Sequence, residues 1–324
     1  MSTVNQTTSL KRLGRFLADN PIIPLIILLI ILVGILEFMR PGIVNERWIG
    51  NTIKFAIPLA MLAACQTMTM LTGGIDLSAA VAATISAFVM ATQVQLVGVP
   101  MAILLGLIPA ILIGLVNGFG VAICRVHPLI MTLGTGLIGT GCLQVYQRFV
   151  IATGSVVPES LAWLGTGRTW GLPNALLLFL PFAALLIWGQ RRTGFGRLLY
   201  ALGSNETASK ISGVRAWQVY LALYALSGLI AGVTGLLYVG LIKAPSLSLV
   251  NPLLLPSVAA AVIGGTSIFG GRGGYSGTVV GALILTVLGT LLTLLQMPEG
   301  ARRILFGLII LAVTTIYIRL TNQR

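Results

Sequence analysis

Titratable side chains are the scarcest feature of this sequence. Aspartate and glutamate together number 7 in 324 residues, and His127 is the single histidine. An ion-coupled secondary transporter needs intramembrane acids or histidines as relays. Only Asp76, the one acid between Glu46 and Glu159, qualifies. No nucleophile–base pair or His/carboxylate cluster is present to support an intramembrane enzyme, so no catalytic residue is assigned. His127 has no second His or Cys beside it, and no metal site is expected. The three cysteines, Cys65, Cys124 and Cys142, lie in or beside apolar runs and read as buried structural thiols without a disulfide pattern. None of the four lysines follows a glycine, which removes the Gly-Lys-Ser/Thr cradle of an ATP site. No cofactor is therefore expected in this chain.

What the sequence has in abundance is apolar length. It is 56% hydrophobic and 8% charged, against about 25% charged residues in soluble domains, so it reads as an integral membrane protein. The net charge of +13 invites a nucleic-acid reading, but the 20 basic residues are scattered between apolar runs. Positive charge retaining loops in the cytoplasm explains them better, and no nucleic-acid partner is expected. The ruler of about 20 apolar residues per crossing yields ten candidate spans: 22–39, 52–71, 77–94, 98–122, 129–150, 172–189, 219–241, 253–268, 276–295 and 303–318. The third, fifth and eighth are short or rich in Gly, Ser and Thr. The first run is followed by Glu37 to Arg40 rather than a small-residue cleavage site, and reads as an uncleaved anchor. Ten spans with a cytoplasmic tail at 1–20 put both termini inside, with twelve basic residues on the cytoplasmic side and eight on the other. The expected fold is a single all-α polytopic domain over 1–324. GxxxG spacing at Gly114/Gly118, Gly228/Gly232 and Gly277/Gly281 suits close helix approach.

Four stretches interrupt the oil. Gln190 to Gln218 is the longest polar break, with Arg191, Arg192, Arg197, Lys210 and Arg215 against one acid, Glu206. Its middle spells a helix of about two turns: Ser204 or Asn205 as N-cap, Glu206 before Lys210, and Gly213 as a left-handed stop. Ala208 and Ile211 supply its small apolar face. Leu71 to Ser78 reads LTGGIDLS, where Gly73 and Gly74 break the chain. Asp76 there either caps the next helix or shapes a path or hinge at membrane depth. Asn117 to Gly134 reads NGFGVAICRVHPLIMTLG, a basic turn between two spans, and Ile263 to Gly281 reads IGGTSIFGGRGGYSGTVVG, a tight turn with Arg272 at its tip.

In their order along the chain, these stretches resemble the membrane permease subunit of bacterial ABC importers of the ribose/simple-sugar type, related more distantly to branched-chain amino-acid permeases. The resemblance runs from about residue 50 to the C-terminus. Two departures are Ala79 and Ala80, where the family often has Val-Gly, and Gly274, where it often has Ser. The resemblance implies that 190–218 is a cytoplasmic coupling loop whose helix docks on an ATPase, through Gly203, Asn205, Glu206, Ala208, Ser212 and Gly213. It implies an inner-membrane machine with a second permease subunit, cytoplasmic ATPases that bind and hydrolyse the ATP, and a periplasmic sugar-binding protein. The chain itself would catalyse nothing. Within the importer class, an amino acid or another small polar solute is the alternative cargo, and the scarcity of charge in the spans leans towards sugar.

Overall fold

The computed structural model describes residues 22–150 and 154–322; the basic tail at 1–20 lies outside the described residues. Apolar runs become helices because lipid leaves no other partner for backbone N–H and C=O groups. In chain order they are α1 (Ile22–Met39), α2 (Glu46–Leu71), α3 (Ala79–Val97), α4 (Val99–Ala122), α5 (Pro128–Val150), α6 (Glu159–Thr166), α7 (Ala175–Arg192), α8 (Gly194–Ser204), α9 (Glu206–Ile211), α10 (Ala216–Ile242), α11 (Leu254–Ile263), α12 (Tyr275–Leu294) and α13 (Glu299–Asn322). Two-residue strands β1 (Arg168–Thr169) and β2 (Leu172–Pro173) form a small antiparallel hairpin between α6 and α7. The protein is an all-α polytopic membrane protein, and among the described residues eight helices are long and apolar enough to cross a bilayer.

The eighth candidate span departs from expectation. Instead of one helix over 253–268, the chain leaves α10 as non-helical backbone, makes a 3-10 turn at Asn251–Leu253 and then forms the ten-residue α11. At 1.5 Å per residue α11 is about 15 Å long, half of a hydrocarbon core of about 30 Å. The third and fifth candidates, by contrast, form full helices α3 and α5. The last candidate lies within the 24-residue α13.

The bundle is organised around α10, which packs against α2, α3, α4 and α6. Its seam with α4 is made by glycines from both sides. Gly114 lies on the Tyr224 backbone, Gly118 on Leu221, Gly228 on the Ala110 carbonyl and Gly232 on Leu107. Numbers rise along α4 as they fall along α10, so the pair is antiparallel. The third predicted pair behaves likewise, with Gly277 on Gly264 and Gly281 on Ala260. Packing of backbone on backbone holds helices together where lipid removes the hydrophobic drive.

The thiols are not all buried. Cys65 is, but Cys124 and Cys142 are exposed on the surface of the chain. Their runs are apolar because they face outward from the bundle, so an apolar neighbourhood in sequence did not mean an interior position.

Candidate functional site

The stretch after α2 turns back into the protein. Thr69 and Met70 carbonyls accept from Gly74 and Gly73 N–H at 3.0 and 2.9 Å, and Gly73 takes the left-handed φ of 77° that this helix end requires. The Gln66 side chain then clamps the returning backbone, donating to the Asp76 carbonyl (2.8 Å) while its Oε1 accepts from Asp76 N–H (3.2 Å). A Cβ on Gly74 would come 2.9 Å from the Tyr224 hydroxyl and 3.1 Å from Pro128 Cβ, so the turn is wedged between α10 and α5.

Asp76 is 2% exposed. Its Oδ1 accepts from Ser78 N–H (3.0 Å) and Ser78 Oγ (2.6 Å), and its Oδ2 accepts from Ser227 Oγ (2.6 Å). Asn117 donates to Ser78 Oγ at 2.8 Å, and Thr135 donates to Asn117 Oδ1 at 2.6 Å. Thr132 completes the seat, its Oγ1 accepting from Leu77 N–H (3.1 Å) and donating to the Ile75 carbonyl (3.0 Å). One carboxylate thus ties α10, α4 and α5 to the start of α3. Ser227 lies eleven residues into the 27-residue α10, about 16 Å from its start. The knot therefore sits well inside the bundle. Non-helical backbone is tolerated there because it is buried in protein, with Asp76 and Leu77 N–H and the Ile75 and Asp76 carbonyls bonded to side chains.

The polar break folds differently. Thr193 caps α8 by accepting from Gly196 N–H at 3.1 Å. α8 buries Leu199 and Leu202, a helix the basic composition of this stretch had concealed. Asn205, rather than Ser204, caps α9, its Oδ1 accepting from Ala208 N–H at 2.9 Å. Glu206 pairs with Lys210 at 2.5 Å and accepts from Tyr220 Oη at 3.2 Å, which pins α9 to the second turn of α10. After Ser212 the chain turns at Gly213, φ 88°, with Val214 N–H bonded to the Ser209 carbonyl and Gly213 N–H to Lys210. Ala208, Ser212 and Ile211 face outward, Ile211 with 84% of its surface exposed.

All four motif stretches meet at this end of the bundle. Gly203, the penultimate residue of α8, lies directly on the Leu71 carbonyl and beside Gly271 N, which donates to that same carbonyl at 2.9 Å. Tyr200 donates to the Gly273 carbonyl at 2.9 Å, and burial pushes its hydroxyl above the ordinary tyrosine range, so it stays a donor. Arg191 reaches Ser276 Oγ at 3.2 Å. Beside α9 opens a cleft of about 710 Å³, whose wall includes Thr72, Arg125, His127, Glu206, Lys210 and Arg215. His127 spends its Nδ1 accepting from Leu129 N–H at 3.3 Å. No group of three metal-ligating side chains occurs among the described residues.

Asp76, Gly73 and Gly74 thus come together in one knot, and Asn205, Glu206, Ala208, Ser212 and Gly213 in one outward hook, whereas Gly203 lies in α8, half-buried on the Leu71 carbonyl. Sequence reasoning missed Asp76's partners. Asn117 was nevertheless visible as the sole amide in α4, and Gln66 as the sole glutamine in α2. Ser227 and Thr135 carried no such signal, since isolated hydroxyls are common in spans.

The fold and this site define a multi-pass membrane protein with a buried polar knot between two spans and a helical hook at one end. Residues 48–314 match the family described as the permease component of branched-chain amino-acid transport systems, and the chain belongs to that family. It is a transport component rather than an enzyme. Similar proteins include the ribose import permease protein RbsC of Bacillus subtilis, 32% identical over 93% of this chain and 91% of that one. The galactofuranose transporter permease protein YtfT of Escherichia coli is 31% identical over 95% and 92%. The fructose import permease protein FrcC of Rhizobium meliloti is 29% identical over 95% and 88%. No solved structure matches.

Proposed function

We propose that the protein is the membrane permease subunit of an ATP-binding-cassette importer that carries a monosaccharide across the bacterial inner membrane. The observation that carries this reading is the full-length similarity to permeases named for ribose, galactofuranose and fructose. On this reading the motif end of the bundle is cytoplasmic, as are both termini. The chain crosses ten times, counting α13 and the non-helical segment plus α11. α9 is the coupling helix, and its outward Ala208 and Ile211 face an ATPase that binds and hydrolyses the ATP. A second permease subunit, identical or homologous, and a periplasmic sugar-binding protein complete the machine. Closure of the ATPase pair pushes on α9, and Glu206–Tyr220 and Gly203–Leu71 pass the movement to α10 and α2. Rocking of the bundle then alternates access.

A branched-chain amino acid is the second reading, favoured by the family description. Against it stands the Asp76 carboxylate, whose oxygens are engaged by internal donors and offer a zwitterion no free charge. The test is reconstitution with the ATPase and binding protein, followed by uptake of ribose, fructose and leucine. ATP-dependent uptake of a sugar supports the proposal, and uptake of leucine alone overturns it. Cysteines placed at Ser204 and Ser246 should label from opposite sides of the membrane.

A further inference from the structure

After α10 the chain turns back into the bundle as non-helical backbone. Gly235 of α10 lies on Ala83, and Val250 N–H donates to the neighbouring Thr84 Oγ1 at 3.2 Å. Val250 is therefore level with a point seven residues before the end of α10, about 10 Å back inside the bundle. Lys243 begins the descent with a left-handed φ of 59°. Non-helical backbone at such depth must be buried in protein or line a watery cavity. Here it does both. Leu249 and Val250 are buried, whereas Ser248 and Asn251 turn to a cavity of about 350 Å³ shared with the first turns of α13. That volume falls in the range of small-molecule clefts, about 300–1,000 Å³.

The lining has an unusual composition for an apolar bundle. Glu299, Arg303 and Phe306 face Ser248 and Asn251 across the cavity. Arg303 Nε lies 3.3 Å from Glu299 Oε1, with the two side chains 63% and 60% exposed. Such a pair is worth only about 0.3–0.5 kcal/mol, so either partner can be exchanged for a solute group at little cost. Together the two charges cancel, leaving the pair with no net charge to select an ion. A polyol ring presents hydroxyls that both donate and accept, and C–H faces that are apolar. Carboxylate, guanidinium, amide and hydroxyl meet the former, and the Phe306 ring meets the latter.

We propose that this cavity is a transit site for a neutral polyhydroxylated solute, entered from the end of the bundle opposite α9. The proposal rests on the reading of the chain as a monosaccharide permease and adds the residues that handle the sugar. Asn251 and Ser248 hold the ring edge, Glu299 and Arg303 exchange their mutual contact for ring hydroxyls, and Phe306 covers a ring face.

The test uses the complete transporter with its ATPase and binding protein, reconstituted in proteoliposomes, with exposed Cys124 and Cys142 replaced by serine. Asn251→Cys should react with a polar, membrane-impermeant maleimide added from the side opposite α9. Under turnover, with a transported sugar (ribose or fructose) at about ten times its site Kd, labelling should slow about tenfold because occupied sites are shielded. Leucine should give no protection. Ser248→Cys serves as a second reporter if Asn251→Cys fails to insert. Arg303→Gln and Phe306→Ala should keep ATP hydrolysis stimulated by the binding protein, but lower sugar moved per ATP. If wild type carries leucine and neither sugar, the monosaccharide reading fails and this inference falls with it. If wild type carries a sugar, yet labelling is absent or unprotected and both variants transport normally, this inference alone is overturned.

Discussion

The Asp76 knot and the α9 hook begin with the same local chemistry and reach opposite fates. α2 and α9 both end in a left-handed glycine, Gly73 at φ 77° and Gly213 at φ 88°, with the same pair of backbone bonds behind each. After Gly73 the chain turns inward and every oxygen of Asp76 is occupied. After Asn205 the helix projects outward, tied down by one glutamate and one hydroxyl. Local sequence sets how a helix stops, while burial decides what the stop is for. The inward turn is where stability resides; the outward one leaves an apolar residue uncovered. On the proposed reading these are the frame and the handle of one machine.

The largest effect should come from removing the acceptor at the centre of the knot. Asp76→Leu strands Ser78 N–H, Ser78 Oγ and Ser227 Oγ in a dry interior, at about 1–3 kcal/mol each. The variant should fail to accumulate, or lose at least 10 °C in thermal unfolding in detergent. Asp76→Asn keeps an acceptor for both Ser78 donors, and the Ser227 hydroxyl can rotate to accept. It should retain the fold and most uptake. If Asn proves as inactive as Leu while the protein remains folded, the charge itself does work and the comparison between frame and handle is broken.

Next in size is Gly203, the point where knot and hook touch. A β-carbon there overlaps the Leu71 carbonyl, which also receives Gly271 N–H. Overpacking of this kind costs about 1–3 kcal/mol. Gly203→Val should lower the unfolding temperature measurably and abolish uptake, because α8 can no longer rest on the end of α2. Unchanged unfolding would show that the two regions are mechanically independent.

The hook was legible in sequence because each of its determinants is local. Asn205, Glu206, Lys210 and Gly213 act within nine residues of one another, and the structure places cap, pair and stop on those side chains. The knot was legible only in part. Gly73, Gly74 and Asp76 announced a break, but Ser227 is 151 residues from Asp76, and nothing local marks it. The amphipathic α8 was hidden because its buried Leu199 and Leu202 sit among arginines and glycines. Hydropathy also read 253–268 as a span. Apolar content cannot distinguish a full crossing from a ten-residue helix preceded by extended chain, since both present the same oil to the same solvent.

A smaller perturbation isolates the hook from its surroundings. Asn205→Ala removes the cap on Ala208 N–H, worth about 1 kcal/mol for an exposed helix. Gly213→Val meets open space, so its cost is backbone strain at positive φ alone. Both should leave insertion and unfolding temperature nearly unchanged while reducing ATP-driven uptake several-fold. Equal losses of stability and transport would place the hook in the frame instead.

The smallest expected effect on the fold comes from Ile211. With 84% of its surface already exposed, Ile211→Ser removes almost no buried area, and such surface changes normally stay within about ±0.5 kcal/mol. If α9 is only a basic loop near headgroups, transport should be equally indifferent. If it is the handle, an apolar residue buried against the ATPase can carry a few kcal/mol of association. Ile211→Ser should then weaken co-purification of the ATPase and slow sugar uptake, with unfolding temperature unmoved. Normal co-purification and normal uptake in this variant would leave α9 without a docking role, whatever the geometry of its cap and stop.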